Sequence, residues 1–381
     1  MDMKTNILTG ILNLVKFPIL KGKPKMGKWY GIPLEGCVSA DGVPAHAAFR
    51  KGSENKLIVL FFGGGVSWNE YMAARPNSIF GNPDKVNFYA VGDGGLVADL
   101  ATRIGIPTLS KNKSNPFHTW NMLAIPYVTG DFHCGTGDFP YTALDGTKKI
   151  LHHHGYTNYR KALTEAIKHI GHNPEQILVT GFSAGGWGTA LLTDDVMRTF
   201  PNCKDVTSYV DSSLMLHPDW RGIAENVWGA PKEIADRLQS ENNVLDCLRA
   251  LKKDHGDRVK IAYSCSVRDC ALAEFVNYIQ EDKLYADKES GIKFQEQLKQ
   301  MCDELQQAIP NVSLFIFDTL EENAEKKAMG LTKHCVGKAE KLVVEGTTAA
   351  QWLWDTVCDN PRQIGLALLD QSPNFDLGES K

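Results

Sequence analysis

The chain's most constraining feature is a short apolar run, Ile177-Leu178-Val179-Thr180, that ends in Gly181-Phe182-Ser183-Ala184-Gly185. The run reads as a buried strand. The Gly-x-Ser-x-Gly behind it reads as a sharp strand-to-helix turn that lifts a serine hydroxyl clear of a sheet. Such a turn leaves no room for bulk beside the serine, and Gly181 and Gly185 supply that space. The next residues, Gly186-Trp187-Gly188-Thr189-Ala190-Leu191-Leu192, start a helix whose first amides face the serine. The alternative is a glycine-rich turn with an incidental serine, and the rest of the chain has to decide.

Strands and helices alternate around this point. Apolar runs at 57–62, 123–128, 206–210, 259–264 and 312–317 read as strands, with Pro126 limiting the pairing of the second. Residues 159–170 carry Ala162, Leu163, Ala166, Ile167 and Ile170 at helical spacing, closed by Gly171. A second amphipathic helix is expected over 294–309, and a late one holds Trp352, Leu353 and Val357. The alternation predicts an α/β fold of the α/β-hydrolase type: a mostly parallel sheet with helices on both faces. Its strands would present their carboxyl ends along one edge. The expected organisation is an N-terminal arm or amphipathic helix at 1–30, one domain over 31–370, and a flexible tail at 371–381. A charged helical insertion at 218–257 is a candidate lid.

Composition excludes several classes. A formal charge of −4 and a pI near 6.3 give no nucleic-acid footprint. No run of 18 apolar residues predicts an integral membrane segment. The apolar stretch at 7–15 is broken by Asn13 and followed by Lys16, without a signal-peptide cleavage site. Nine cysteines, an odd number with no CxxC, read as reduced thiols in a cytoplasmic protein. Cys265 and Cys270 are a candidate pair to lie close in space.

A serine hydroxyl needs a base, and the base needs an orienting carboxylate. In this fold the acid follows the serine and the histidine comes last. Counting strands gives Asp269 as acid and His334 as base, with Asp211, one strand early, as the reserve acid. Asp269 could instead pair with Arg268 or cap the helix beginning Ala271-Leu272-Ala273. The turn Phe62-Gly63-Gly64-Gly65-Val66 can bring amides close to a ligand, and no Gly-Lys-Ser/Thr follows it to suggest phosphate binding. Gly65, Val66 and Ala184 are therefore the candidate oxyanion donors. Gly64, Trp68, Asp131, Phe132 and Trp187 are candidate pocket residues, with Asp131 and Asp138 shaping the floor. The run His152-His153-His154 is assigned no metal, because adjacent histidines cannot all face one ion. No cofactor is expected.

Six segments in series resemble the pectin acetylesterase/Notum family of carboxylesterases. Cys37-Val38-Ser39-Ala40-Asp41-Gly42 is similar to its Cys-x-Asp-Gly-Thr opening, and Gly63-Gly64-Gly65-Val66-Ser67-Trp68 to its Gly-Gly-Gly-Trp turn. The stretches 125–131 and 137–138, the elbow 181–186, Asp211-Ser212-Ser213 and His334-Cys335 resemble the family's later motifs. The resemblance implies Ser183 as nucleophile, Asp269 as acid, His334 as base and amides at Gly65, Val66 and Ala184 for the oxyanion. Arg268-Asp269-Cys270 matches only loosely, and the tryptophan stands at Trp68 with no cysteine behind it. The expected function is a serine carboxylic-ester hydrolase acting on acetylated oligosaccharides or other small esters. The rivals are an acyltransferase or lipid-type thioesterase with the same triad, and an inactive carbohydrate-binding relative.

Overall fold

A computed structural model of the chain describes residues 17–77, 86–92, 115–337 and 339–372. The apolar stretch 7–15 and the tail residues 373–381 lie outside these. The chain opens with an antiparallel pair, β1 (Trp29–Val38) and β2 (Pro44–Arg50), before β3 (Lys56–Phe61) and a single turn, α1 (Glu70–Ala73). β4 (Asn121–Ile125) is followed by a hairpin of β5 (Gly137–Thr142) and β6 (Lys148–His153), then α2 (Gly155–Ile170). The elbow region comprises β7 (Gln176–Phe182), α3 (Ala184–Thr199) and β8 (Val206–Asp211). Three helices follow, α4 (Trp220–Asn226), α5 (Lys232–Ala235) and α6 (Asn243–His255), and lead into β9 (Val259–Ser266). The chain then runs through α7 (Cys270–Glu281), α8 (Lys288–Ala308), β10 (Ser313–Phe317), α9 (Ala324–Ala328), α10 (Ala349–Val357) and β11 (Gln363–Ile364).

Nine strands form one sheet in the order β1-β2-β4-β3-β7-β8-β9-β10-β11. Only β1, β2 and the β2–β4 pairing are antiparallel; every pairing from β4 to β11 is parallel. Successive strand residues point to opposite faces. All of Val206–Asp211 is buried, as is β3 apart from Lys56, so both faces of the sheet centre are covered. The expected α/β-hydrolase architecture is therefore present, with strand boundaries within a few residues of those read from the apolar runs. The described part of the arm is extended: Ile19 bridges Gly31, Met26 bridges Lys51, and Phe17 stacks on Trp29 at 5.6 Å. All nine cysteines are free, Cys265 and Cys270 included.

The segment at 218–257 is tightly docked. α6 is the crossover helix between the adjacent parallel strands β8 and β9, and it packs on α3, where the Trp187 indole donates to Asn243 Oδ1 at 3.0 Å. Trp220 and Trp228, ahead of it, are fully buried. Trp220 meets Trp68 edge-on at 5.6 Å, and Trp228 meets Phe132 at 5.3 Å while donating to the Ser67 carbonyl at 2.8 Å. These tryptophans fasten the segment to the glycine turn and to the loop after β4. Replacing Trp228 with alanine leaves a cavity and an unpaired carbonyl. We expect a loss of about 3–5 kcal/mol in urea unfolding with the slope unchanged.

Candidate active site

Ser183 sits between β7 and α3 with φ 54° and ψ −132°, a left-handed backbone unusual for a residue with a side chain. Neighbouring strands impose it. The Ser183 amide donates to the Asp211 carbonyl at 2.9 Å, and the Ser183 carbonyl accepts from the Ser213 hydroxyl at 2.7 Å. A Cβ on Gly185 would come within 2.0 Å of the Phe61 carbonyl oxygen, and one on Gly181 within 2.1 Å of the Gly185 carbonyl oxygen. The Gly-x-Ser-x-Gly spacing is thus a packing requirement.

Asp269 and His334 meet beyond the ends of β9 and β10. His334 Nδ1 lies 2.8 Å from both carboxylate oxygens of Asp269. Asp269 is fully buried, and its Oδ1 also accepts from the Ala271 and Leu272 amides at 3.1 Å. It therefore caps α7 and holds the histidine at once. It does not pair with Arg268, whose guanidinium goes to the Gly330 carbonyl and Gln295 at 2.7 Å. The two loops are stitched by backbone bonds from Cys270 N to Thr332 O (3.0 Å) and from Thr332 N to Arg268 O (2.9 Å). Asp211, the reserve acid, is occupied elsewhere. Its carboxylate accepts from Ser264 (2.8 Å), Ser212 (3.1 Å) and the Val336 amide (3.0 Å).

Electrostatics favour the charged form of His334. Burial pulls its pKa down. The charge and hydrogen bond of Asp269, with the charges of Asp211 and Glu274 behind, outweigh that and raise it. Burial raises the Asp211 carboxyl to about 6 against its hydrogen bonds.

The glycine turn closes the site on the β3 side. A Cβ on Gly63 would lie 2.7 Å from Ser183 Cβ, so only glycine lets the turn lie against the serine. Of the candidate oxyanion donors, Val66 is already engaged, its amide donating to the Phe88 carbonyl at 2.6 Å. The Gly64 and Gly65 amides have no backbone acceptor among the described residues. Ala184 opens α3, so its amide has no intrahelical acceptor.

Ser183 and His334 line a common cleft of about 530 Å³ with Gly64, Gly65, Ala184, Phe132 and Trp187. The Phe132 ring lies parallel to the Trp187 indole at 4.6 Å. Three expected wall or floor residues are not at this surface. Trp68 is buried among His217, Trp220, Phe275 and Tyr278. Asp131 is fully buried behind the cleft, accepting from Thr129 and from the amides of His133, Gly135 and Gly155, and so shapes the loop that carries Phe132. Asp138 is on the exposed hairpin with His152 and His154. The sequence reading missed Phe88, Tyr89, Met215, Leu272, Phe275 and Leu284, which complete an apolar lining. The i, i+3 pair Leu272 and Phe275, directly behind Asp269, was the available signal. A neighbouring cavity of about 410 Å³ shares Phe182 and Gly337 with the cleft but contains neither Ser183 nor His334.

The sequence matches the pectinacetylesterase family over residues 33–244, more than half of the chain. The chain belongs to the pectinacetylesterase family. It is accordingly an esterase-type hydrolase. The family match spans the glycine turn and the elbow, whereas Asp269 and His334 lie beyond it. No curated protein matches the chain by sequence. Its fold is similar to that of the Wnt deacylase Notum from Drosophila, with a TM-score of 0.56 at 18% identity over 88% of this chain and 95% of that one. No described helix of this pectinacetylesterase-family chain is long and apolar enough to cross a membrane.

A reaction that uses His334 as base requires its neutral form. Because the folded environment raises its pKa, activity falls with acid through a midpoint above the 6.5 of an ordinary imidazole. Asp269→Asn moves that limb to lower pH and reduces kcat by about 10⁴-fold, measurable as a pH–rate profile.

Proposed function

We propose that this pectinacetylesterase-family protein hydrolyses carboxylic esters through an acyl-enzyme on Ser183. The observation that carries the reading is the Asp269–His334 pair at 2.8 Å, opening onto the cleft that holds Ser183 on its strained elbow. With Nδ1 bound to Asp269, Nε2 of His334 is the nitrogen turned to reaction. It takes the Ser183 proton as the hydroxyl oxygen attacks the ester carbonyl carbon. The amides of Ala184, Gly65 and Gly64 are the donors for the resulting oxyanion. The tetrahedral adduct collapses as His334 returns the proton to the departing alcohol. A water, deprotonated by the same nitrogen, then attacks the acyl carbonyl carbon; as the acyl–Oγ bond breaks, His334 returns that proton to Ser183 and the carboxylic acid leaves.

The substrate class is an acyl ester of a carbohydrate or another small alcohol. Family membership and the deacylase activity in the name of the similar fold support this. The cleft adds a further indication. Phe88, Phe132, Trp187, Met215, Leu272 and Phe275 make it apolar, and about 530 Å³ exceeds what an acetyl group fills. That space is shared by the acyl group and the alcohol, and its apolar walls favour acyl groups longer than acetyl.

A fluorophosphonate probe is expected to add covalent mass to the peptide bearing Ser183, and His334→Ala to abolish that labelling. Ser183→Ala should remove at least about four orders of magnitude of p-nitrophenyl ester hydrolysis while leaving the fold intact. From acetate to butyrate, kcat/KM should rise about tenfold, since each buried methylene contributes roughly 0.8 kcal/mol. Undiminished hydrolysis by pure Ser183→Ala would refute the mechanism.

A further inference from the structure

The run His152-His153-His154 and Asp138 take no part in the cleft, yet the hairpin β5–β6 arranges them in a definite way. Side chains alternate along a strand. His153 points inward and is fully buried, its Nδ1 2.9 Å from the Thr129 carbonyl oxygen. Its neighbours His152 and His154 turn to the opposite, solvent side. There the antiparallel register sets Asp138 directly across from His152. His152 Nδ1 lies 2.7 Å and His154 Nε2 3.0 Å from the same oxygen, Asp138 Oδ1. The three donor atoms all fall within 4.8 Å of one another.

Two of three consecutive histidines therefore share a face, together with a carboxylate from the partner strand. We propose that Asp138, His152 and His154 form a binding site for a divalent transition-metal ion, with zinc as the best fit. Zinc–nitrogen and zinc–oxygen distances of about 2.0–2.2 Å place tetrahedral ligand atoms roughly 3.3 Å apart. The two separations from Asp138 Oδ1, 2.7 and 3.0 Å, are a little shorter than that, and the two imidazole nitrogens lie within 4.8 Å of each other, so small adjustments of partly exposed rings would seat the ion. Two imidazoles and one carboxylate suit zinc, cobalt, nickel or copper, whereas calcium and magnesium call for an oxygen shell. Side-chain exposures of 53% for Asp138, 27% for His152 and 25% for His154 leave room for water to complete the shell.

Each histidine binds as neutral imidazole, its lone pair at the nitrogen that now faces Asp138 and its ring proton on the other nitrogen. An ion here would bolt the hairpin's two strands together, and the hairpin in turn touches α1, where the Thr142 amide donates to Glu70 Oε1 at 2.9 Å. The proposed site is outside the cleft and has no part in ester cleavage.

The experiment uses the untagged full chain stripped with EDTA, titrated with Zn²⁺ against a chromogenic chelator and with Co²⁺ followed by visible absorption. The expected result is one equivalent bound per chain, with ligand-field bands of a nitrogen and oxygen site and no thiolate charge-transfer band. Asp138→Asn, His152→Gln and His154→Gln should each weaken binding by at least about tenfold, while circular dichroism verifies that each variant is folded. His153→Gln is unsuitable, since that ring is a core group. The proposal is overturned if the wild type binds no ion at submillimolar concentration. It is equally overturned if the His152→Gln/His154→Gln double variant binds as tightly as the wild type, or if cobalt reports thiolate ligation.

Discussion

The site depends on how closely β3 and β7 approach each other at their carboxyl ends. Phe61 pairs with Gly181 in register, and the Phe61 carbonyl sits where a side chain on Gly185 would have to go. That contact leaves no room for a side chain at Gly185 beside the turn that holds Ser183. It also brings the glycine turn following β3 against the serine, with Gly63 almost touching Ser183 Cβ. The approach of β3 to β7 thus sets the glycine turn against the serine, whose own turn is also held by Asp211 and Ser213. A rigid sheet centre, buried on both faces, keeps that contact from relaxing.

The opposite wall is built by a different device. His334 belongs to the loop that follows α9 behind β10, the kind of segment that ordinarily moves. Here it is fixed by reciprocal backbone bonds between Thr332 and the segment Arg268–Asp269–Cys270, reinforced by the Thr332 hydroxyl on Ser266 at 2.8 Å. Asp269 needs no separate support because capping α7 already locks its carboxylate. Capping and orienting a histidine, which looked like competing roles for this residue, use the same carboxylate in compatible directions. One oxygen takes two helix amides, and both oxygens remain in reach of the imidazole.

Local chemistry explains what could be read in advance. The strands of the sheet centre are continuous apolar runs, and the elbow is marked by glycines that packing demands, so both were legible. The order of Ser183, Asp269 and His334 followed from counting strand ends. What escaped was set by distant pairing. Phe88 and Tyr89 reach the cleft because Tyr89 bridges Gly65 across more than twenty residues, and the same pairing uses up the Val66 amide. Phe132 and His133 both adopt positive φ, at 51° and 64°, which no local signal announces. The buried Asp131 gathers the amides around them, a function that looks like a site carboxylate in sequence. The segment at 218–257 holds α6, the crossover helix between β8 and β9, with a charged outer face.

Asp211 illustrates how two candidates for one role can both matter. Its backbone carbonyl accepts the Ser183 amide, and its carboxylate accepts the Val336 amide two residues beyond His334. One residue at the end of β8 therefore ties the serine's turn to the histidine's loop. Its charge also acts: Asp211 is among the groups that raise the His334 pKa, and His334 in turn helps hold Asp211 down against burial. In the proposed mechanism an imidazolium at His334 would face Asp269, bonded to Nδ1, with the charges of Asp211 and Glu274 at longer range. Only the first can set the ring's orientation, because only Asp269 makes the hydrogen bond. Asp211 acts on His334 only through its charge, while its carboxylate stays bonded to Ser264, Ser212 and the Val336 amide.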